Sequence, residues 1–366
     1  MNRKKKICFI AQFPPPIHGL SKAVDTLYNS NLSEEFNFEK IDIKDNKKIV
    51  GNLTKIWKSK ANLFYFTLSQ TRGGNIRDLI ILKFLSMMKK KCVIHLHGGY
   101  YRKLIDENLP TWQRKLNYEA IKKLAGVIVL SPILKSIFQG MIEEEKIFIV
   151  SNCIDQEFMM SQPEFEKKIN QLNQKKELNV LYLSNFIKSK GYDKVLEMAK
   201  YEKERAMQQN KKCLHFNFAG NFFHRNDQEF FEQYIKENGL HDLITYHGVV
   251  SSQSKIDLLQ KCDIFVLLTN YPNEGQPIAI LEAMGNAMVI VTTNHAGIPD
   301  IVQDERNGIL LSTENITISN LLNRIDKVFG NEEAAEIMIN NRNSIKEKYT
   351  EGQYLKNMAR IFKKLT

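Results

Sequence analysis

Acidic residues are in deficit in this chain: its 366 residues carry 52 lysines and arginines against 41 aspartates and glutamates, a formal charge of +11. That balance calls for an acidic partner, and charge alone leaves nucleic acid, anionic lipid headgroups and a phosphorylated substrate open. Cysteine is scarce and odd in number. Cys8, Cys92, Cys153, Cys213 and Cys262 are widely spaced in or beside apolar runs, which argues against a disulfide framework or a zinc site and suits a reducing cytoplasm. Proline is rare and 43% of the residues are hydrophobic, so the chain is too apolar for disorder and long enough for two cores. No uninterrupted apolar run approaches the ~18 residues of a membrane span, because Leu79-Ile-Ile-Leu82 is broken by Lys83. The basic start followed by Ile7-Cys-Phe-Ile-Ala11 imitates a signal peptide, yet it meets Pro14-Pro15-Pro16 without a small-residue cleavage site and is expected to be the first strand. Missing too are the glycine fingerprint of nicotinamide binding, the phosphate loop of nucleotide hydrolases and any repeat of solenoid period.

What is present is alternation. Strand-like apolar runs at 7–13, 36–43, 63–69, 92–96, 126–131 and 146–150 are separated by helix-like segments, the pattern of a parallel sheet covered on both faces. The polar stretch Pro163 to Asn179 reads as a linker. A second series follows at 180–183, 214–219, 244–247, 264–268, 288–292 and 309–311, and the pattern is helical after about 315. The expectation is therefore an α/β protein of two facing, doubly wound Rossmann-like domains with a cleft between them, spanning 1–165 and 179–345, and a terminal helix over 346–366 that returns to the first domain. In such sheets ligands bind at the carboxyl ends of strands, so the loops after each run carry the chemistry. Lysine clusters at 3–6, 44–60 and 83–91 make the first half basic. Asp78 to Lys91 alternates apolar and basic residues, which fits either a core-facing helix with a solvated side or a helix lying on an anionic membrane.

The most informative loop follows Ile264 to Leu268. Thr269-Asn-Tyr-Pro-Asn-Glu-Gly-Gln-Pro-Ile-Ala-Ile-Leu-Glu-Ala-Met284 places Glu274 on a turn and Glu282 on a helix, expected two turns up, with Pro277 at the first helical position. Carboxylates accept hydrogen bonds from sugar hydroxyls, and open amides at a helix start favour a phosphate. Read without its flanks, the pair is equally a charged helix turn and a solvated face. With them, the segment resembles the E-x7-E signature of family 4 retaining glycosyltransferases in its E-G-Q-P variant, and the similarity continues through Asn286 to Val302.

Other loops extend that resemblance. Gly19, after the proline turn, matches the family's glycine loop near the donor phosphates, and His97 before Gly98 matches the histidine near the anomeric carbon, with His95 as the second candidate. Asn185 to Gly191 resembles R-x4-K-G, with Lys190 as the lysine and Asn185 where the arginine usually stands; a lysine there neutralises a diphosphate as a point charge. Softer matches are Ser131, Ser151-Asn-Cys-Ile-Asp155, Phe218-Ala-Gly220-Asn221 and His247-Gly248. The resemblance implies the GT-B fold and a metal-independent hexosyl transfer, to which the lack of a D-x-D triplet conforms. His97, Glu274 and Lys190 are the expected catalytic residues. Gly19, Asn185, Gly220, Gly275, Gln276, Ile278 and Glu282, with Lys190, are expected to bind a nucleotide-sugar donor, and no metal site or cofactor is expected. The implied acceptor is a glycan or lipid-linked glycan of a bacterial surface polysaccharide, reached from the cytoplasm at an anionic membrane surface, with no nucleic-acid partner. A sugar-nucleotide epimerase or a phosphorylase shares the fold, and a nucleic-acid-binding protein would share only the charge.

Overall fold

The structure, a computed structural model, describes residues 4–15, 19–205, 213–331 and 333–366. Within the expected glycine loop, residues 16–18 lie outside the described residues. The chain divides into two units: the first comprises 1–152, 273–276 and 352–366, and the second 153–272 and 277–351.

The first unit runs β1 (Lys5–Ala11), α1 (Gly19–Tyr28), β2 (Phe36–Asp42), α2 (Ile49–Lys58), β3 (Leu63–Thr67), α3 (Arg72–Met87), β4 (Cys92–His95), α4 (Tyr101–Glu107), α5 (Thr111–Lys122), β5 (Gly126–Val129) and β6 (Ile147–Ile149). Its six strands form one sheet in the order β2-β1-β3-β4-β5-β6, with parallel pairing throughout. Every residue of β3, β4 and β5 is buried, which is why these strands read as unbroken apolar runs and not as an alternation. The step from β1 to β2 goes one way along the sheet and the next three crossovers go the other way. Right-handed connections therefore put α1 on one face and α2, α3 and α5 together on the opposite face.

The second unit holds α6 (Gln162–Gln171), β7 (Glu177–Leu183), α7 (Tyr192–Arg205), β8 (Cys213–Ala219), α8 (Arg225–Asn238), β9 (Ile244–Tyr246), α9 (Ser252–Lys261), β10 (Ile264–Leu267), α10 (Ile278–Gly285), β11 (Val289–Thr293), β12 (Gly308–Leu311), α11 (Ile318–Gly330) and α12 (Glu333–Lys348). Its sheet is again parallel, in the order β12-β11-β10-β7-β8-β9. The chain winds outward from β7 to β9, then returns to the other side of β7 as β10. The β7/β10 boundary is thus the switch point where loops diverge and leave a crevice. An aromatic cluster of Phe186, Phe218, Phe222 and Phe231 anchors the β7 and β8 ends of this core.

The last helix, α13 (Glu351–Leu365), begins at the edge of the second unit, and its residues from Gly352 onward cluster with the first. Phe362 packs edge-on against Phe9 of β1 and Tyr65 of β3, and the Tyr354 hydroxyl donates to the Ala23 carbonyl.

The twelve apolar runs all correspond to strands, and two local expectations are corrected. The stretch read as a linker is mostly helix: Ser161 and Glu164 form a reciprocal capping box that starts α6, with Pro163 in its first turn. Its polarity reflects one exposed side, while Phe165 and Lys168 are buried. Pro277 is the residue before the first turn of α10, with extended ψ, so Glu282 stands little more than one turn up that helix and not two.

Candidate active site

At the carboxyl edge of the first sheet, β4 ends at His95 and His97 follows two residues on, with both imidazoles on one side. Their rings stack with centroids 3.9 Å apart. His95 is wholly buried and its Nδ1 meets the Tyr65 hydroxyl at 2.7 Å. Burial, reinforced by the neighbouring His97, lowers its pKa well below the ordinary histidine value, so this ring is neutral. His97, two residues beyond, is half-buried.

Glycine is required where the segment 273–276 meets this edge. A Cβ on Gly275 would lie 2.7 Å from the His97 carbonyl oxygen, and one on Gly98 would lie 2.6 Å from the Asn273 carbonyl. Both positions therefore bring backbone against backbone. Gln276 completes the anchorage, its Oε1 accepting from the Asn152 amide at 2.7 Å and its carbonyl from Asn152 Nδ2 at 2.8 Å. The result is that Glu274, only 7% exposed, is held on a loop fixed at both flanks.

Three buried polar atoms along this edge have no hydrogen-bond partner among the described residues: His95 Nε2, Ser131 Oγ just after β5, and Gln276 Nε2. A buried polar atom left unmatched costs roughly 1–3 kcal/mol, so each of these is a candidate contact for water or a polar ligand. Gly19 opens α1 with nothing within 4 Å of where its Cβ would stand.

The second unit builds its own polar edge at the β7/β10 switch point. Lys190 closes a short 3-10 turn after β7, followed by Gly191 in the left-handed region and then α7. The loop after β10 is tied to this turn, because the Asn270 amide donates to the Ser189 carbonyl at 2.8 Å. Tyr271, on that second loop, lies beneath Lys190, whose ammonium is 4.7 Å from the ring centroid. Asn185 is exposed, with its carbonyl accepting from the Tyr182 hydroxyl. Gly220 has a positive φ, and a Cβ there would fall 1.9 Å from the Ser184 carbonyl oxygen, so it serves close backbone approach.

Glu282 occupies α10 and is 5% exposed. Its Oε1 lies 2.6 Å from Nζ of Lys255 on α9, and that ammonium also sits 4.1 Å from the Phe158 ring centroid. Lys168, inside α6, donates to the carbonyls of Cys262 and Asn286, the residues that end α9 and α10. One buried lysine thus satisfies the C-terminal carbonyls of both helices that carry the Glu282–Lys255 pair. Burial lowers its pKa to about 8. The amides of Gly275, Gln276 and Ile278 donate to no group among the described residues.

Of the expected residues, His97, Glu274, Gly275 and Gln276 belong with the first unit, as does Gly19; Asn185, Lys190, Gly220, Ile278 and Glu282 belong with the second. Tyr65, Tyr271 and Lys255 were not singled out in the sequence. Tyr271 lies within the quoted motif and its ring was a legible signal; Lys255 sits on an ordinary polar helix and carried none. No disulfide joins the five cysteines, and among the described residues no group of three histidine, cysteine or acidic side chains is placed to hold a metal. No described helix is long and apolar enough to cross a membrane.

Residues 164–344 match the family described as glycosyl transferases group 1. The chain is 24% identical to an uncharacterized glycosyltransferase of Methanocaldococcus jannaschii, with all of both chains covered. It is 22% identical to the poly(ribitol-phosphate) alpha-N-acetylglucosaminyltransferase of Staphylococcus aureus, over 73% of this chain and 50% of that one. Among solved structures it is similar to Anabaena HepE in complex with UDP, with a TM-score of 0.75 at 15% identity, covering 98% of this chain and 100% of that one. The same protein in complex with UDP-glucose gives 0.72 at 16% identity, covering 98% and 99%. The architecture is that of the GT-B glycosyltransferases.

Proposed function

From the premise that the comparisons support, a glycosyltransferase of the group 1 family, we propose that this protein moves a hexosyl unit with retention from a uridine-diphosphate sugar to a lipid-linked glycan of a bacterial surface polysaccharide. The observation that carries the reading is Lys190, an ammonium held at the switch point of the second sheet by Tyr271 and the joined loops. Cleaving the anomeric C–O bond leaves negative charge on the diphosphate, and a preorganised cation lowers that barrier. Glu282, paired with Lys255, takes the ribose hydroxyls, and Glu274 takes the hexose hydroxyls near His97. The acceptor hydroxyl forms its new bond on the face from which the diphosphate departs, and its proton passes to a leaving phosphate oxygen. The transfer needs no divalent metal in this scheme.

Uridine is favoured by the complexes of a similar fold with UDP and UDP-glucose, and a polyanionic surface acceptor by the relative that acts on poly(ribitol-phosphate). A thermal-shift screen over UDP-, GDP- and ADP-sugars is expected to single out a uridine sugar, with transfer undiminished by chelator. Lys190→Ala is expected to lower turnover roughly a hundredfold or more. No shift with any nucleotide sugar, or normal rates in that variant, rejects the scheme.

A further inference from the structure

We propose that the α2–α3–α5 face of the first unit is a docking surface for an anionic lipid bilayer. The three helices lie side by side on one face of the sheet. Both tryptophans of the protein are on it and both are exposed, Trp57 on α2 at 61% and Trp112 on α5 at 58%. Between them α3 turns Leu79, Leu82 and Leu85 to the core and leaves Ile76, Ile80 and Met87 outside, the last 73% exposed. A groove of about 540 Å³ runs between α3 and α5, lined in part by Ile76, Ile80, Met87 and Trp112. An outward apolar stripe gains nothing in water; its residues recur at helical spacing, so it is a designed second face and not scattered exposure.

Charge selects the occupant. Lys55, Lys58, Lys83, Arg114, Lys115 and Lys122 are exposed on the same helices, and none of them forms an ion pair among the described residues, whereas Glu119 is the one exposed acid there. A second copy of this chain would bring lysines against lysines with a single carboxylate to offset them. A nucleic acid would match the charge but leave the aliphatic stripe in water. A bilayer with anionic headgroups satisfies both: lysines reach the phosphates, indole rings sit at headgroup level and the aliphatic side chains enter the acyl boundary. This surface deepens the reading of a lipid-borne acceptor and rests on it for its purpose, not for its detection.

The test uses the full chain and vesicles of phosphatidylglycerol mixed with phosphatidylcholine, against vesicles of phosphatidylcholine alone. Co-sedimentation is expected on the anionic vesicles, weakening with salt, together with a blue shift of intrinsic tryptophan emission, since both indoles lie on the face. Reversing Lys55, Lys58 and Lys83 to glutamate is expected to weaken partition roughly a hundredfold or more. Ile76→Ser with Ile80→Ser and Met87→Ser should abolish the salt-resistant fraction while the melting profile is retained. Equal binding to neutral vesicles, no binding, or unshifted wild-type emission overturns the proposal, and so does light scattering that reveals a dimer lost in the serine variant. Because no donor or acceptor is present, failure of sugar transfer with vesicle binding intact rejects the enzymatic reading and leaves this surface standing.

Discussion

Glu274 and Glu282 are separated by seven residues and are almost equally buried, yet the structure holds them by different means. Glu274 rides on a loop fixed by backbone, with Gly275 against the His97 carbonyl and Gln276 clamped by Asn152. Glu282 is fixed by charge, against Lys255 on a neighbouring helix whose end is capped by Lys168. The lesson is that one sequence motif contains two kinds of acid: one placed through the contacts of its neighbours in the loop, with His97 and Asn152, and one whose own carboxylate is held by an ion pair.

The sharpest way to break that contrast is to neutralise each acid at constant shape. Glu274→Gln is expected to cut kcat by about a hundredfold to a thousandfold, because it removes a charge from the reacting sugar, while shifting the melting temperature little. A variant with unchanged kcat would reduce Glu274 to a structural loop residue. Glu282→Gln should instead leave the part-buried Lys255 without its counter-ion, costing on the order of 2 kcal/mol of stability and raising KM for the donor about tenfold. Adding Lys255→Met should return part of the stability and none of the donor affinity; a double variant no more stable than the single one refutes the pairing argument.

The smallest effect concerns pH. Lys168 has a folded pKa of about 8 against an ordinary 10.5, lowered by burial. Between those values the unfolded chain retains a proton that the folded chain has released, so this group makes stability rise with pH from about 8 to 10.5 and adds no slope below about 8. Denaturant midpoints across that window should climb less in Lys168→Met than in the parent. Equal slopes would place the ammonium in a better solvated site than its carbonyl contacts indicate.

Much of this was legible in the residues. Central strands buried on both faces advertise themselves as apolar runs, the part-buried edge strands kept enough apolar residues to be located as well, and the loops after β4, β7 and β10 carried recognisable histidine, lysine and glutamate positions. Less legible was whatever depended on contacts distant along the chain. Lys168 looked like a linker residue because its burial is created by α9 and α10, nearly a hundred positions or more away. Tyr65 looked like one more strand aromatic until His95 was brought to its hydroxyl.

Sequence by itself determined the alternation of strand and helix, the surplus of positive charge and the identity of the polar side chains on the loops, because these follow from local periodicity and composition. Tertiary structure alone decided that 273–276 clusters with the first unit, that Glu282 is answered by Lys255, and that both tryptophans share one face with the exposed lysines. The physical reason is that periodicity reports which residues avoid water, whereas a partner's identity depends on crossover direction and strand order, which no local window contains.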